Sequence, residues 1–156
     1  MSAALPAPSP AVRAWVRLLE VHKLALAEVR RELVGEVSLS RFDLLANLHR
    51  EDAQTLASLS RRMLVTAGNV TGLVDRAERD RLVRRKPDAR DRRATRVTLT
   101  RRGRALYAEA LIRHQRRVEA VFDALSRKEQ HALSSLLGDV RRSLRRPEAA
   151  LQEKSP

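Results

Sequence analysis

The chain has 156 residues, with 32 Lys and Arg against 19 Asp and Glu, and a net charge of +13; this length fits one domain with a small appendage. Apolar residues, at 43%, suffice for a core and argue against a disordered basic tail, while aromatics at 3% argue against a chain built on base stacking. The lack of cysteine excludes disulfide frameworks, thiolate zinc sites, Fe–S clusters and thiol redox sensing.

Residues 1–10 read as a Pro-rich arm without the basic-then-apolar order of a secretory signal. No apolar run approaches the roughly 20 residues of a membrane span. A soluble, cytoplasmic protein with a polyanionic partner is expected. Residues 11–33 predict a helix: Val12, Trp15, Leu18, Leu19, His22, Leu26 and Val29 recur at spacings of three and four, and Val16, Val21, Leu24 and Ala25 broaden the stripe. Gly35 is the expected stop. Ser40 is the expected cap of a second helix, with Asp43 near its positive end and Phe42, Leu45 and Leu48 on its apolar side. Arg50–Ala53 reads as a connection. A short helix with Leu56, Leu59 and Met63 on one face follows. Thr66 then caps another, Ala67 to about Arg79, with Val70, Leu73, Val74 and Ala77 inward. Two such helices so close together form a helix-turn-helix pattern.

The period then changes from 3.6 to 2. Leu82–Lys86 and Arg93–Leu99 predict two strands, with turn residues over Pro87–Asp91, and so a hairpin with a very basic tip. Thr100 opens a long helix whose apolar side runs through Leu106, Tyr107, Ala110, Leu111, His114, Val118, Val121, Phe122 and Leu125. Ser126–Glu129 is a capping box for a last helix through Leu133, Leu136, Leu137, Val140 and Leu144, which Pro147 stops. The expected fold is mainly α with a small β-hairpin wing. A winged helix-turn-helix at 40–100 is flanked by helices at 11–39 and 101–146, and a polar tail occupies 147–156. The flanking helices have broad apolar faces and little middle domain to cover, which predicts a homodimer.

Charge locates the partner. Between Arg79 and Arg104, twelve basic residues stand against three aspartates, nine of the thirteen net charges in 26 residues. Such clustering is the footprint of a nucleic-acid binder. The second helix of a helix-turn-helix enters the major groove. Its expected contact positions are Thr66, Ala67, Gly68, Asn69, Thr71 and Gly72, mostly small enough for close backbone approach. Asn69 can bond adenine bidentately, and Thr71 can offer a hydroxyl or a methyl to a base edge. Arg76 is placed to reach phosphate. At the hairpin tip, Arg90, Arg92 and Arg93 can lie across phosphates or send one side chain into a narrow minor groove. Asp88 and Asp91 make sense there as carboxylates that pair with an arginine and set its direction.

Thr66–Arg76, then Leu82-Val-Arg-Arg85, then Asp88-Ala-Arg-Asp-Arg-Arg93, then Val97-Thr-Leu-Thr100 resemble the MarR family of bacterial winged-helix transcription regulators. The resemblance covers about residues 11–145. It implies that the flanking helices form a dimer, that Arg93 is the wing arginine entering the minor groove, and that Asp91 orients it. One position departs. The family usually has glycine where this chain has Arg81, and arginine is disfavoured in a left-handed helix C-terminus; the helix is therefore expected to end differently.

The resemblance also implies a small-molecule effector, often a phenolic or aromatic anion, between the dimer region and the DNA-binding lobe. Candidates here are Trp15, His22, His49, Arg50 and Arg113, with His114 beside the last. Four histidines (His22, His49, His114, His131) contain no tight ligand pair, so neither a metal nor a cofactor is expected. There is no Gly-rich phosphate loop and no nucleophile motif, and no enzyme is expected. The function expected is a dimeric regulator bound to a pseudo-palindromic duplex, a repressor released by its ligand. The alternatives are a nonspecific nucleoid or RNA-binding protein and a ligand-responsive activator.

Overall fold

The computed structural model describes residues 7–32, 37–88 and 95–144. In chain order the elements are α1 (Pro10–Glu32), α2 (Leu39–Arg50), β1 (Gln54–Thr55), α3 (Leu56–Met63), α4 (Ala67–Arg79), β2 (Val83–Pro87), β3 (Thr95–Leu99), α5 (Arg101–Val121) and α6 (Arg127–Leu144). Two compact units divide them, Met1–Val118 and Glu119–Pro156. The predicted mainly helical fold with a wing is observed. The expected stops at Gly35 and Pro147 lie outside the described residues.

The core of the first unit sits where α2, α3, α4 and the sheet meet. Leu44, Leu45, Leu48, Leu59, Val70, Val74 and Val97 are fully buried there. Burying each such side chain stabilises the fold by roughly 1.5–3 kcal/mol. The core also extends past residue 100: Tyr107 and Ala110 of α5 are buried, and the Tyr107 ring lies 5.5 Å from that of Phe42. Gly103 is required for this approach. A Cβ on it would meet the Leu82 carbonyl oxygen at 2.0 Å.

The helix ends follow local chemistry. Thr55 caps α3 by accepting from the Ser58 N–H, and Thr66 caps α4 by accepting from the Asn69 N–H. The cap of α2 is Ser38, which accepts from the Arg41 N–H, and not Ser40. Val37 before that cap and Phe42 in the next turn are both buried, the positions of a hydrophobic staple that fixes the entry of the chain. Asp43 consequently lies beyond the first turn. Burial raises its pKa, against the pull of Arg50 and a hydrogen bond from Asn47. Ser126 and Glu129 form the expected capping box of α6.

Helix α4 ends in a Schellman motif: the Leu82 N–H donates to the Ala77 carbonyl at 2.8 Å and the Arg81 N–H to Glu78 at 2.9 Å. Arg81 has φ 60°. The helix therefore ends in the left-handed conformation despite the arginine, which corrects the expected change of ending. The paired buried residues Ala77 and Leu82 hold that turn closed.

The sheet has three strands in the order β1-β3-β2, both pairs antiparallel. Val83 pairs with Leu99 and Pro87 with Thr95. The first wing strand starts one residue later than the predicted Leu82 and runs to Pro87. Strand β1 is a correction to the reading of 50–53 as leading straight into a helix; Gln54 pairs with Val97. Buried Gln54 also donates to the carbonyls of Asn47 and Glu51 and so closes the end of α2.

Candidate nucleic-acid interface

Helix α4 presents two faces. Val70, Leu73, Val74 and Ala77 are buried, as their spacing predicts, while Thr66, Ala67, Gly68, Asn69, Thr71 and Arg76 are exposed and Gly72 is half-buried. Period-3.6 geometry makes the second set one continuous outer surface. Around Gly68 a Cβ would meet nothing within 4 Å, so the backbone there is open to a close partner. The Thr71 hydroxyl donates to the Ala67 carbonyl at 2.9 Å. In that arrangement its lone pairs and methyl stay open to accept a hydrogen bond or touch a thymine methyl. Asn69 has its backbone N–H on the cap and its amide in solvent. The Arg76 guanidinium lies 3.5 Å from a Cβ built on Gly72. It therefore folds back along the helix, toward the end that carries Asn69.

Two carboxylates tie this helix to the wing. Arg85 of β2 reaches Asp75 at 2.6 Å and Glu78 at 2.5 Å, and its own N–H donates to Glu78 at 2.7 Å. Burial opposes the charge on Arg85, but the hydrogen bonds it donates to Asp75 and Glu78, with their negative charges, outweigh it and raise its pKa. A second tie holds β3. One oxygen of Asp52 accepts from the N–H groups of Ala53 and Leu99, and the other pairs with Arg104 at 2.5 Å. Burial would raise the Asp52 pKa; these bonds overcome it and lower the value. Buried Asp88 pairs with Arg96, whose guanidinium also donates to the Ala53 carbonyl. Arg85 thus joins the wing to the recognition helix, and Asp52 joins β3 and the start of α5 to the link between α2 and β1. The tip residues Arg90, Asp91, Arg92 and Arg93 lie outside the described residues, while Arg84 and Lys86 at the base of the wing are exposed.

Sequence reasoning missed one residue of this surface. Leu64, in the turn between α3 and α4, has φ 54° and is 91% exposed. Its type gave no signal, because leucine favours neither solvent nor positive φ.

The candidate effector residues are partly assembled. The His49 ring lies 4.8 Å from Tyr107, Phe42 joins Tyr107, and His114 lies 4.5 Å from Phe42, so α2 and α5 share one aromatic cluster. Arg113 follows on α5, with its Nε buried and unpartnered, as is His114 Nδ1. Burial lowers the His114 pKa. Arg50 is exposed at the end of α2. Trp15 is 58% exposed and His22 is exposed on α1; among the described residues no ring contact or hydrogen bond joins either to His49, Arg50 or Arg113. Among the described residues, too, no group of three metal-ligating side chains occurs, and no helix is long and apolar enough to cross a membrane.

The profile of the MarR family matches residues 36–94. The HTH-type transcriptional regulator PecS of Dickeya dadantii is 30% identical over 70% of this chain and 68% of its own length. The HTH-type regulator YkoM of Bacillus subtilis is 32% identical, and this chain spans 64% of its length, just under two thirds. Among solved structures, BpsR of Bordetella bronchiseptica, whose DNA binding is regulated by 6-hydroxynicotinic acid, superposes with a TM-score of 0.78 at 22% identity, over 87% of this chain and 98% of that one.

Proposed function

The chain belongs to the MarR family of transcriptional regulators, and on that premise we propose that it is a dimeric, sequence-specific binder of duplex DNA that represses transcription until a small aromatic acid releases it. The observation that carries the reading is the outer face of α4: an exposed amide at Asn69 among Ala67, Gly68 and Thr71, at the capped N-terminal end of a helix clamped to a basic wing. Asn69 and Thr71 read base edges in the major groove, Arg76 engages phosphate, and Arg93 at the wing tip enters the minor groove with Asp91 setting its direction. Two such lobes related by a two-fold axis meet half-sites about 10 bp apart.

Dimerisation is supported by apolar side chains left in solvent. On α1, Trp15, Val12, Val16 and Val21 are 45–58% exposed; on α6, no residue is buried, and Leu136, Leu137, Val140 and Leu144 are 41–80% exposed. Such faces mark protein interfaces. The effector would occupy the region of the α2–α5 aromatic cluster, with Arg113 or Arg50 for its carboxylate, and Trp15 and His22 brought in from α1. It would act by binding preferentially to an arrangement that does not fit DNA.

Asn69→Ala tests the assignment of base contact. On a selected duplex it should relax preference at one base pair in each half-site. Equal weakening for every sequence would place Asn69 on the backbone and remove it from sequence readout.

A further inference from the structure

A second charged site lies at the other end of α4. Arg41, Arg79, Asp80, Arg81, Leu82 and Arg102 line an open cleft of about 360 Å³. Four arginines, from α2, α5 and the end of α4, thus line it beside one carboxylate, Asp80. We propose that this cleft binds a small polyanion of the diphosphate class, at a site separate from both the DNA surface and the aromatic cluster.

The starts of α2 and α5 favour this, and the arginines outnumber what opposes it, the negative end of α4 and the Asp80 carboxylate. Arg79 and Arg81 stand at the C-terminus of α4, where the helix dipole attracts cations. Arg41 and Arg102 stand in the first turns of α2 and α5, where it disfavours them, and neither first turn contains an acidic residue. An anion held there meets the positive starts of α2 and α5, and shares Arg41 with Asp80. The walls are also fixed beforehand. Arg41 pairs with Asp80 at 2.5 Å, and its side chain is only 18% exposed. The Thr100 hydroxyl donates to the Arg81 carbonyl at 2.7 Å and accepts from the Gly103 N–H at 3.0 Å, joining the start of α5 to the end of α4.

Size and lining select the ligand class. The volume falls at the lower end of small-molecule sites, about 300–1,000 Å³. Leu82 is the single apolar residue of the lining, so an aromatic acid finds no surface for its ring, whereas planar guanidinium forks match phosphate oxygens. Thirteen residues of helix put the cleft about 20 Å away from the N-terminal end of α4.

The test is titration of the full chain with inorganic pyrophosphate, without DNA and at constant ionic strength, by calorimetry and by amide NMR. It is independent of whether the protein reads an operator. One saturable site per chain is expected, with shifts at the Leu82, Thr100 and Arg102 amides, and tighter binding than sulfate. The exposed-residue variant Arg81→Gln/Arg102→Gln should bind about tenfold or more weakly, while Arg92→Gln/Arg93→Gln at the wing tip should bind unchanged. Equal affinity for sulfate, an equal loss in both variants, or shifts confined to the wing would overturn the site. Absence of shifts at Leu82 and Thr100 in the unaltered protein would do so even if a variant failed to fold.

Discussion

Gly103→Ala should destabilise the protein, although alanine is the better helix former. The added Cβ would sit 2.0 Å from the Leu82 carbonyl oxygen and 2.9 Å from its carbon, both backbone atoms. Relief needs a shift of about 1 Å or more between the start of α5 and the α4–β2 link, an overpacking cost of about 1–3 kcal/mol. The same shift strains the Thr100 N–H bond to that oxygen, 3.0 Å long, and the longer branch of a Thr100 hydroxyl bond shared between the Arg81 and Leu82 carbonyls, at about 1–2 kcal/mol together. Helix propensity returns at most about 1 kcal/mol. The net loss is about 1–4 kcal/mol, or a Tm lower by roughly 3–15 °C for a chain of this size. Thermal unfolding followed by circular dichroism, at fixed protein concentration, measures it. Gly68→Ala is the control, since its Cβ meets nothing within 4 Å; it should melt at or slightly above the unaltered protein. If Gly103→Ala also melts at or above it, the packing of α5 on Leu82 is wrong.

Arg81→Gly should stabilise by about 1 kcal/mol, because the left-handed conformation at φ 60° costs a non-glycine residue about 1–2 kcal/mol and glycine gives back part of that in chain entropy; urea unfolding at equal m-value checks it. Burial lowers the His114 pKa from its ordinary 6.5, so the unfolded chain takes up that proton first. The resulting stability is complete above the unfolded value and declines as pH falls through it. His114→Phe, which keeps a ring against Phe42, should therefore lose less stability than the unaltered protein between about pH 8 and about pH 5.5, and an identical loss would contradict the burial effect. Arg93→Ala should weaken specific duplex binding by about 1–3 kcal/mol; unchanged affinity in fluorescence anisotropy would take the wing tip out of the mechanism.

What the sequence revealed was mostly local. Thr66 and the spacing of Val70, Leu73, Val74 and Ala77 placed α4 and its outer face, because a cap and a 3.6-residue period both lie within one segment. Ser38 and Ser40 are equivalent as cap chemistry; burial of Val37 and Phe42 decides between them, and that is a property of packing. Strand β1 has two residues, too few for any period, and exists because β3 lies beside it. The ties that fix the wing, Asp52 to Leu99 and Arg85 to Asp75, join residues 47 and 10 positions apart, and single charges in a chain this rich in arginine gave no pairing signal. Tyr107 and Ala110 were read as part of a flanking helix, yet they belong to the core of the lobe, since the long apolar side of α5 serves α2 before it serves anything else.

The central claim is recognition of a particular duplex by two copies of this lobe. It is tested most directly by selecting duplexes from a random pool at near-physiological salt, with competitor DNA present. The account predicts enrichment of an inverted repeat with half-site centres about 10 bp apart. Tight binding without enrichment would contradict it, and would leave the basic segment as a clamp for any polyanion.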